Sequence, residues 1–235
     1  MELFFVHGAL VRDGAWWWQR TADLLLERTG IRSRAVELPS CGEGDPELAH
    51  GGLTADAAAL RRELDGVDSA IVVGHSYGGT VIAEAGHHPA IARLVLVSSY
   101  LPDVGQSQAA IMSAEKDPVA VGDGGPGLLA VSGYDEESFA ARFLADADAE
   151  SQRGGWERVT PQGVEAFMTP LSAAGWQGVD STYIVCAEDR STSLELQRFH
   201  AARATRSVEL PTGHHPFISR PDLMVAQLEL LVSDD

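Results

Sequence analysis

The sequence predicts an α/β fold in which about six parallel strands carry helices on both faces. Three observations lead there. Apolar runs of strand length alternate with amphipathic runs of helix length over most of the chain. The strand runs are continuously apolar, as in "ELFFV", "AIVVG" and "ARLVLV", which suits strands buried on both sides. At 235 residues, 45% of them hydrophobic, the chain has the size of one large domain with an insertion.

Residues 2–6 read as the first strand. The loop "HGAL" leads to a helix in "GAWWWQRTADLLLERTG", with Trp17, Leu24 and Leu25 on one face and Gly30 as its stop. "RSRAVEL" is the second strand, ended by Pro39. "LTADAAALRRELDG" sets Leu53, Ala57, Leu60 and Leu64 on one helical stripe, closed by a glycine. "AIVVG" is the third strand, "GGTVIAEAGHH" a helix ended by Pro89, and "ARLVLVSS" the fourth strand.

From about 101 to 178 the rhythm breaks. Gly, Ser, Asp and Pro are frequent there, with Phe139, Phe143, Trp156, Phe167, Met168 and Trp176 as large apolar residues. Such a stretch in a compact domain predicts a cap, inserted between the fourth and fifth strands, over a core of residues 1–100 and 179–235. Its aromatic residues suit a pocket or simply the packing of the cap. "STYIVCAED", "SLELQRFHAARA", "RSVEL" and "RPDLMVAQLELLV" then read as strand, helix, strand and closing helix, with Pro221 in the first turn of the last.

Seventeen Lys and Arg stand against 34 Asp and Glu, a net charge of −17, without a basic run. That surface disfavours nucleic acid and anionic membrane and leaves a small-molecule substrate as the expected partner, with a homodimer as an open expectation. Cys41 and Cys186 are far apart and lack metal spacing, so free thiols in a reducing compartment and no metal or cofactor are expected. "MELFFVHGAL" has no basic lead and too short an apolar run for a signal peptide, which predicts a cytoplasmic protein.

"IVVGHSYGGTVIA" contains Gly74-His75-Ser76-Tyr77-Gly78, a G-x-S-x-G pattern. In a chain with 24 glycines the pattern alone is weak; its place between an apolar strand and an apolar helix gives it force. There the serine occupies a tight, strained turn with its hydroxyl outward. A serine nucleophile needs a base, and the base needs an orienting acid. Both belong at the carboxyl ends of later strands.

The tetrapeptide "GHHP" occurs twice, and position separates the copies. His87 and His88 follow the helix that begins at the serine, which carries them about 15 Å to the opposite rim. His214 and His215 directly follow the last strand, on the serine's rim. Asp189 ends "TYIVCAED" on that rim, with Glu188 and Asp103 (in "SYLPD") as alternative acids. His75 lies within the turn and is expected to face the sheet, His7 to support its loop, and His50 and His200 have no context for chemistry. In "FVHGAL" small residues allow close backbone approach, so the N–H groups of Ala9 and Tyr77 are the expected oxyanion donors. Gly8, Leu10, His215 and Phe217 are candidate pocket residues.

Together these segments resemble the α/β-hydrolase superfamily. Within it they are similar to the branch of plant hydroxynitrile lyases, methyl-ester esterases of the salicylate-binding type and their bacterial relatives. The resemblance spans nearly the whole chain and rests on "FFVHGA" with "GAWWW", "GHSYGG", "SSYLPD", "YIVCAEDR" with "LQRF", and "GHHPFISRPDL". It implies a six-stranded core with a helical cap and a Ser76, Asp189, His214 triad in the superfamily's chain order. His214 is chosen over His215 because the branch's histidine stands seven positions before the helix proline, here Pro221.

Lyases of this branch carry a threonine where this chain has Gly8 and a lysine where it has His215; the plant esterases have a methionine at the latter place. The resemblance therefore implies a serine hydrolase that cleaves a small to medium, largely apolar carboxylic ester, thioester or lactone. A titratable ring at 215 is expected to tune substrate choice. "RSTSLEL" lacks the proline common after the acid, so the course of that loop is open. The rival readings are a lyase on the same triad and a receptor-like binding protein that retains it.

Overall fold

A computed structural model describes residues 1–44 and 51–232; His50 lies outside them. The chain runs β1 (Glu2–Val6), α1 (Gly14–Thr29), β2 (Ser33–Ala35), a 3-10 turn at Pro39–Cys41, α2 (Leu53–Leu64), β3 (Ala70–His75), α3 (Gly78–Ala85) and β4 (Ile91–Val97). The inserted stretch holds α4 (Gln108–Met112), β5 (Val121–Asp123), β6 (Leu128–Val131), α5 (Glu136–Phe143), α6 (Ala149–Trp156), β7 (Gln162–Gly163) and α7 (Glu165–Met168). Then β8 (Asp180–Cys186), α8 (Leu194–Ala201), β9 (Arg206–Leu210), α9 (Pro216–Ser219) and α10 (Pro221–Val232) complete the fold.

The main sheet has six parallel strands in the order β2-β1-β3-β4-β8-β9. Alternation along β1 sends Phe4 and Val6 into one buried layer with Leu60, Leu64 and Val81, while Leu3 and Phe5 meet Trp18, Leu25 and Met224 in the other. Both faces are covered, which is why the strand sequences carry no polar alternation. In register, Val6 pairs with Gly74 and His75 with Val97, so the carboxyl ends of β1, β3 and β4 lie side by side.

Local chemistry sets the element ends. Asp13 caps α1 through its side chain on the Trp16 N–H, and Gly30, at φ 73°, closes it. Gly86, at φ 72°, ends α3 before His87, so Pro89 is not its stop. α2 ends at Asp65 in right-handed helical geometry and not on a glycine. β2 is three residues long, shorter than its apolar run, because it is the half-exposed edge of the sheet.

The cap contains a three-stranded antiparallel sheet, β5-β6-β7, where the resemblance implied helices. It is also joined to the loop after β1: Val11 forms an antiparallel bridge with Val159, the Thr160 N–H donates to the Leu10 carbonyl (3.0 Å), and the Arg12 N–H to that of Arg158 (3.0 Å). No helix among the described residues is long and apolar enough to cross a membrane.

Candidate active site

Ser76 sits between β3 and α3 with φ 49°, a left-handed conformation that a side-chain-bearing residue adopts only under constraint. The constraint is visible on both sides. A Cβ on Gly78 would stand 2.3 Å from the Val6 carbonyl oxygen, and one on Gly74 2.6 Å from Ile82 Cδ1. The two glycines let α3 press against β1 and β3, and the serine is forced outward.

The residues after later strands arrive on the same rim. His214 Nδ1 donates to Asp189 Oδ2 at 2.7 Å, and both side chains are almost fully buried. Asp189 Oδ1 accepts from the N–H groups of Ser191 (2.6 Å) and Thr192 (3.0 Å), which settles the course of the loop that lacks a proline. With Nδ1 bound to the acid, the other nitrogen of His214 is left for Ser76, and both residues line one cavity. Glu188 is exposed, and Asp103 pairs with Arg203, so neither alternative acid reaches the imidazole. His88 pairs with Asp65 on the far rim.

Sequence reasoning missed two supports of this pair. Ser98, strained at φ 40° just past β4, donates to Asp189 Oδ2 at 2.5 Å. Asp146, from the cap, accepts from the Gly213 N–H at 2.7 Å and from the Ser219 hydroxyl at 2.7 Å, holding the segment that bears His214. The serine doublet at a strand end was a readable signal for Ser98; nothing local marks Asp146.

Burial alone would raise the Asp189 carboxyl, but the attraction of His214 and hydrogen bonds from His214, Ser98 and Ser191 outweigh it and hold the group below the usual carboxylate range. His75 and His215 go the other way. Burial, reinforced by the neighbouring His214, pushes His215 down to about 3 and His75 well below its ordinary value. Burial thus favours the neutral form of both rings. Its ring stacks on Trp17 (4.8 Å) and its Nδ1 donates to the Phe143 carbonyl (2.9 Å).

His75 is buried at the sheet end, yet it also borders the cavity, and its Nε2 donates to the His214 carbonyl at 2.9 Å. His75, His214 and His215 bring ring nitrogens within 4.8 Å of one another, a grouping of metal-ligating side chains among the described residues. One nitrogen of each ring is already committed to a protein acceptor. Two distant segments supply these rings, so sequence spacing gave no hint of the cluster.

Gly8, Ala9 and Leu10 line the cavity beside Ser76 and His215. Phe217 does not: it is buried on Trp18, with ring centroids 3.8 Å apart, because α9 turns it into the core. The cavity is small, about 60 Å³. From the cap, Phe139, Phe143 and Phe167 reach it. Met168 is exposed, and Trp176 packs in the core with its indole N–H on the Pro102 carbonyl (2.7 Å), so cap aromatics serve both purposes. Cys41 and Cys186 are free and buried. His200 is a core residue whose Nδ1 accepts from the Leu101 N–H (3.1 Å) and which burial pushes down to about 4.

His7 supports its loop by donating from both nitrogens, to the Gly8 carbonyl (2.8 Å) and to Glu43 (2.8 Å). Burial opposes its charge, but Glu43 outweighs burial and leaves His7 raised above 6.5, while Glu43 is lowered below 4.5. The histidine's contribution is fully present below 6.5 and lost as pH rises through its raised value; that of the glutamate is present above 4.5 and lost as pH falls through its lowered value. Glu43→Gln is expected to destabilise by roughly 1–3 kcal/mol between those limits and by less near pH 9. Urea melts of both proteins at about pH 5.5 and pH 9 check this; an equal deficit at both contradicts it.

A parallel sheet whose central strand ends in a strained serine turn, faced by an acid–imidazole pair from later strands, defines a hydrolase of the α/β class. The chain belongs to the Alpha/beta hydrolase family, whose profile matches residues 3–227. It is 26% identical to Methylesterase 2 of Arabidopsis thaliana, over 98% of this chain and 95% of that protein. It is 25% identical to Probable hydrolase R7 of a Phoma species, over 84% and 85%. The crystal structure of a pyrethroid hydrolase from Sphingobium faniae JZ-2 superposes with a TM-score of 0.83 at 22% identity, covering 99% of this chain and 97% of that one. The two sequence relatives are named as an esterase and a hydrolase, and the superposed structure shares the fold.

Proposed function

We propose that the protein cleaves small to medium, largely apolar carboxylic esters through an acyl-enzyme on Ser76. The observation that carries this reading is the 2.7 Å contact between His214 and Asp189 at the wall of the cavity that Ser76 also lines. Ser76 Oγ attacks the ester carbonyl while His214 takes its proton. Asp189 fixes the tautomer and stabilises the imidazolium. The N–H groups of Ala9 and Tyr77 have no backbone acceptor among the described residues and receive the developing oxyanion. His214 then returns the proton to the departing alcohol, and water releases the acid.

Substrate class follows from the walls. Phe139, Phe143, Phe167, Met112 and Val131 present apolar surface to whatever enters the cavity. Glu115 is also on the wall, and the overall charge is strongly negative, so anionic substrates are disfavoured. A side chain at position 8 would crowd His75 Nδ1 (3.1 Å) and the Ser76 Cβ (3.3 Å), which favours the esterase reading over a lyase that places a hydroxyl there.

Wild-type enzyme incubated with p-nitrophenyl acetate, butyrate and octanoate, with an acyl thioester and a lactone alongside, is expected to turn over the esters, best with the apolar acyl chains. A fluorophosphonate should label it stoichiometrically and stop turnover. Labelling without turnover of any ester, thioester or lactone contradicts hydrolysis and points to lyase chemistry; neither labelling nor turnover points to a binding protein.

A further inference from the structure

Asp56, on α2, is an ionisable side chain that the chemistry above leaves unused. It is wholly buried, yet three donors converge on it. Its Oδ1 accepts from the Ser40 N–H (2.9 Å), and its Oδ2 from the Ser40 hydroxyl (2.6 Å) and the Tyr77 hydroxyl (2.7 Å). The chain of bonds continues. Ser40 Oγ accepts from Gln162 Nε2 (2.8 Å), and Gln162 Oε1 accepts from the Leu10 N–H (2.8 Å). Ser40 and Gln162 are as buried as Asp56.

The placement of the two ends is informative. Tyr77 and Ala9 are the residues whose N–H groups are read as oxyanion donors; the network ends on the ring of the first and on the peptide that follows the second. Leu10 has φ 61°, so its peptide is held in an unusual orientation by something outside itself, and Gln162 is the side chain on its N–H. Three segments meet at the carboxylate, α2, the 3-10 turn and the serine turn, and β7 of the cap joins them through Ser40 Oγ.

Burial raises the Asp56 carboxyl to about 6, so near neutral pH it stands mainly ionised in an apolar core. An apolar residue would fill such a place with less desolvation penalty. A satisfied buried network of this kind fixes geometry.

We propose that Asp56 is a positioning residue for the oxyanion hole, setting the spacing of the Tyr77 and Ala9 N–H groups through the Tyr77 hydroxyl and through Ser40 and Gln162. The inference rests on the ester-hydrolase reading above and adds to it a residue that does not line the cavity.

The test uses the full chain carrying Asp56→Asn, Gln162→Leu or Tyr77→Phe, and the Asp56→Asn/Gln162→Leu pair. Thermal melts establish folding, and p-nitrophenyl ester kinetics separate kcat from KM. Each folded single variant is expected to lose about 10-fold or more in kcat while KM changes by less than about threefold. Because both act through one chain of bonds, the double variant is expected to fall little below the worse single. Tyr77→Phe removes one hydroxyl from a retained ring, so it stays informative if the others do not fold. Folded variants with wild-type kcat and only a lowered Tm overturn the proposal, as does a double variant whose losses multiply. Wild-type turnover that survives Ser76→Ala defeats the acyl-enzyme reading at Ser76 instead, a result visible before any of these variants is made.

Discussion

Ser76→Ala is expected to lower ester turnover by about 10⁶-fold, and His214→Ala by about as much. The hydroxyl is the group on which the proposed acyl-enzyme forms, and among the described residues His214 is the imidazole whose Nδ1 is fixed on a buried carboxylate. Losing either removes the same step, so the double variant should be no slower than the worse single. Fluorophosphonate labelling should vanish with Ser76→Ala. The fold should survive, because alanine relaxes nothing that Gly74 and Gly78 do not already permit, and near-ultraviolet circular dichroism checks it. Turnover within 100-fold of wild type in a verified Ser76→Ala preparation would refute covalent catalysis at this serine. A His215→Ala variant is the matched comparison for His214→Ala: it loses a stack on Trp17 and affects packing of the cavity wall, without removing the base.

Asp189→Asn is expected to lower kcat by about 10³–10⁴-fold with a far smaller change in KM. The asparagine has the shape of the aspartate but only one acceptor oxygen. If that oxygen keeps the Ser191 and Thr192 N–H groups, the amide nitrogen faces His214 Nδ1 and the Ser98 hydroxyl, and it must donate where the carboxylate accepted. The imidazole is then driven to the tautomer with its proton toward Ser76, the wrong side for a base. Ser98→Ala leaves the carboxylate in place and should cost about 10-fold or less. Asp103→Asn, in an ion pair with Arg203 outside the site, should leave turnover within about twofold. Steady-state kinetics on the three variants decide the matter; comparable losses in Asp103→Asn and Asp189→Asn would mean that the acid has been misassigned.

The parts of the structure legible in the sequence are those with a period or a strict local rule. β1, β3 and β4 announce themselves as apolar runs because both sheet faces are covered, and the serine turn because only glycine fits beside it. The small sheet of the cap was invisible: its strands are two to four residues long, and β5 and β6 bury no residue fully, so they carry no alternation. Phe217 was misplaced because nearness in sequence to His215 says nothing about which way the short helix α9 turns. The burial of His215, which disfavours its charged form, is not something a single sequence reveals. Ser98, Asp146 and the Asp56–Gln162 chain are polar contacts between segments far apart in sequence, set by tertiary approach alone. Asp56 did leave a trace: it sits beside Leu53, Ala57 and Leu60 on the buried stripe of α2, where a carboxylate has no reason to be unless something meets it.

The seam between residues 10–12 and 158–160 constrains any attempt to redesign selectivity by exchanging roofs among relatives. A transplanted roof would bring its own backbone to that seam and its own side chain opposite the Leu10 amide, so a change aimed at the acyl chain would retune the electrostatics at the carbonyl as well. Graft boundaries should therefore include both partners of the seam, and a chimera that binds its new ester yet turns it over slowly is the signature of having divided them.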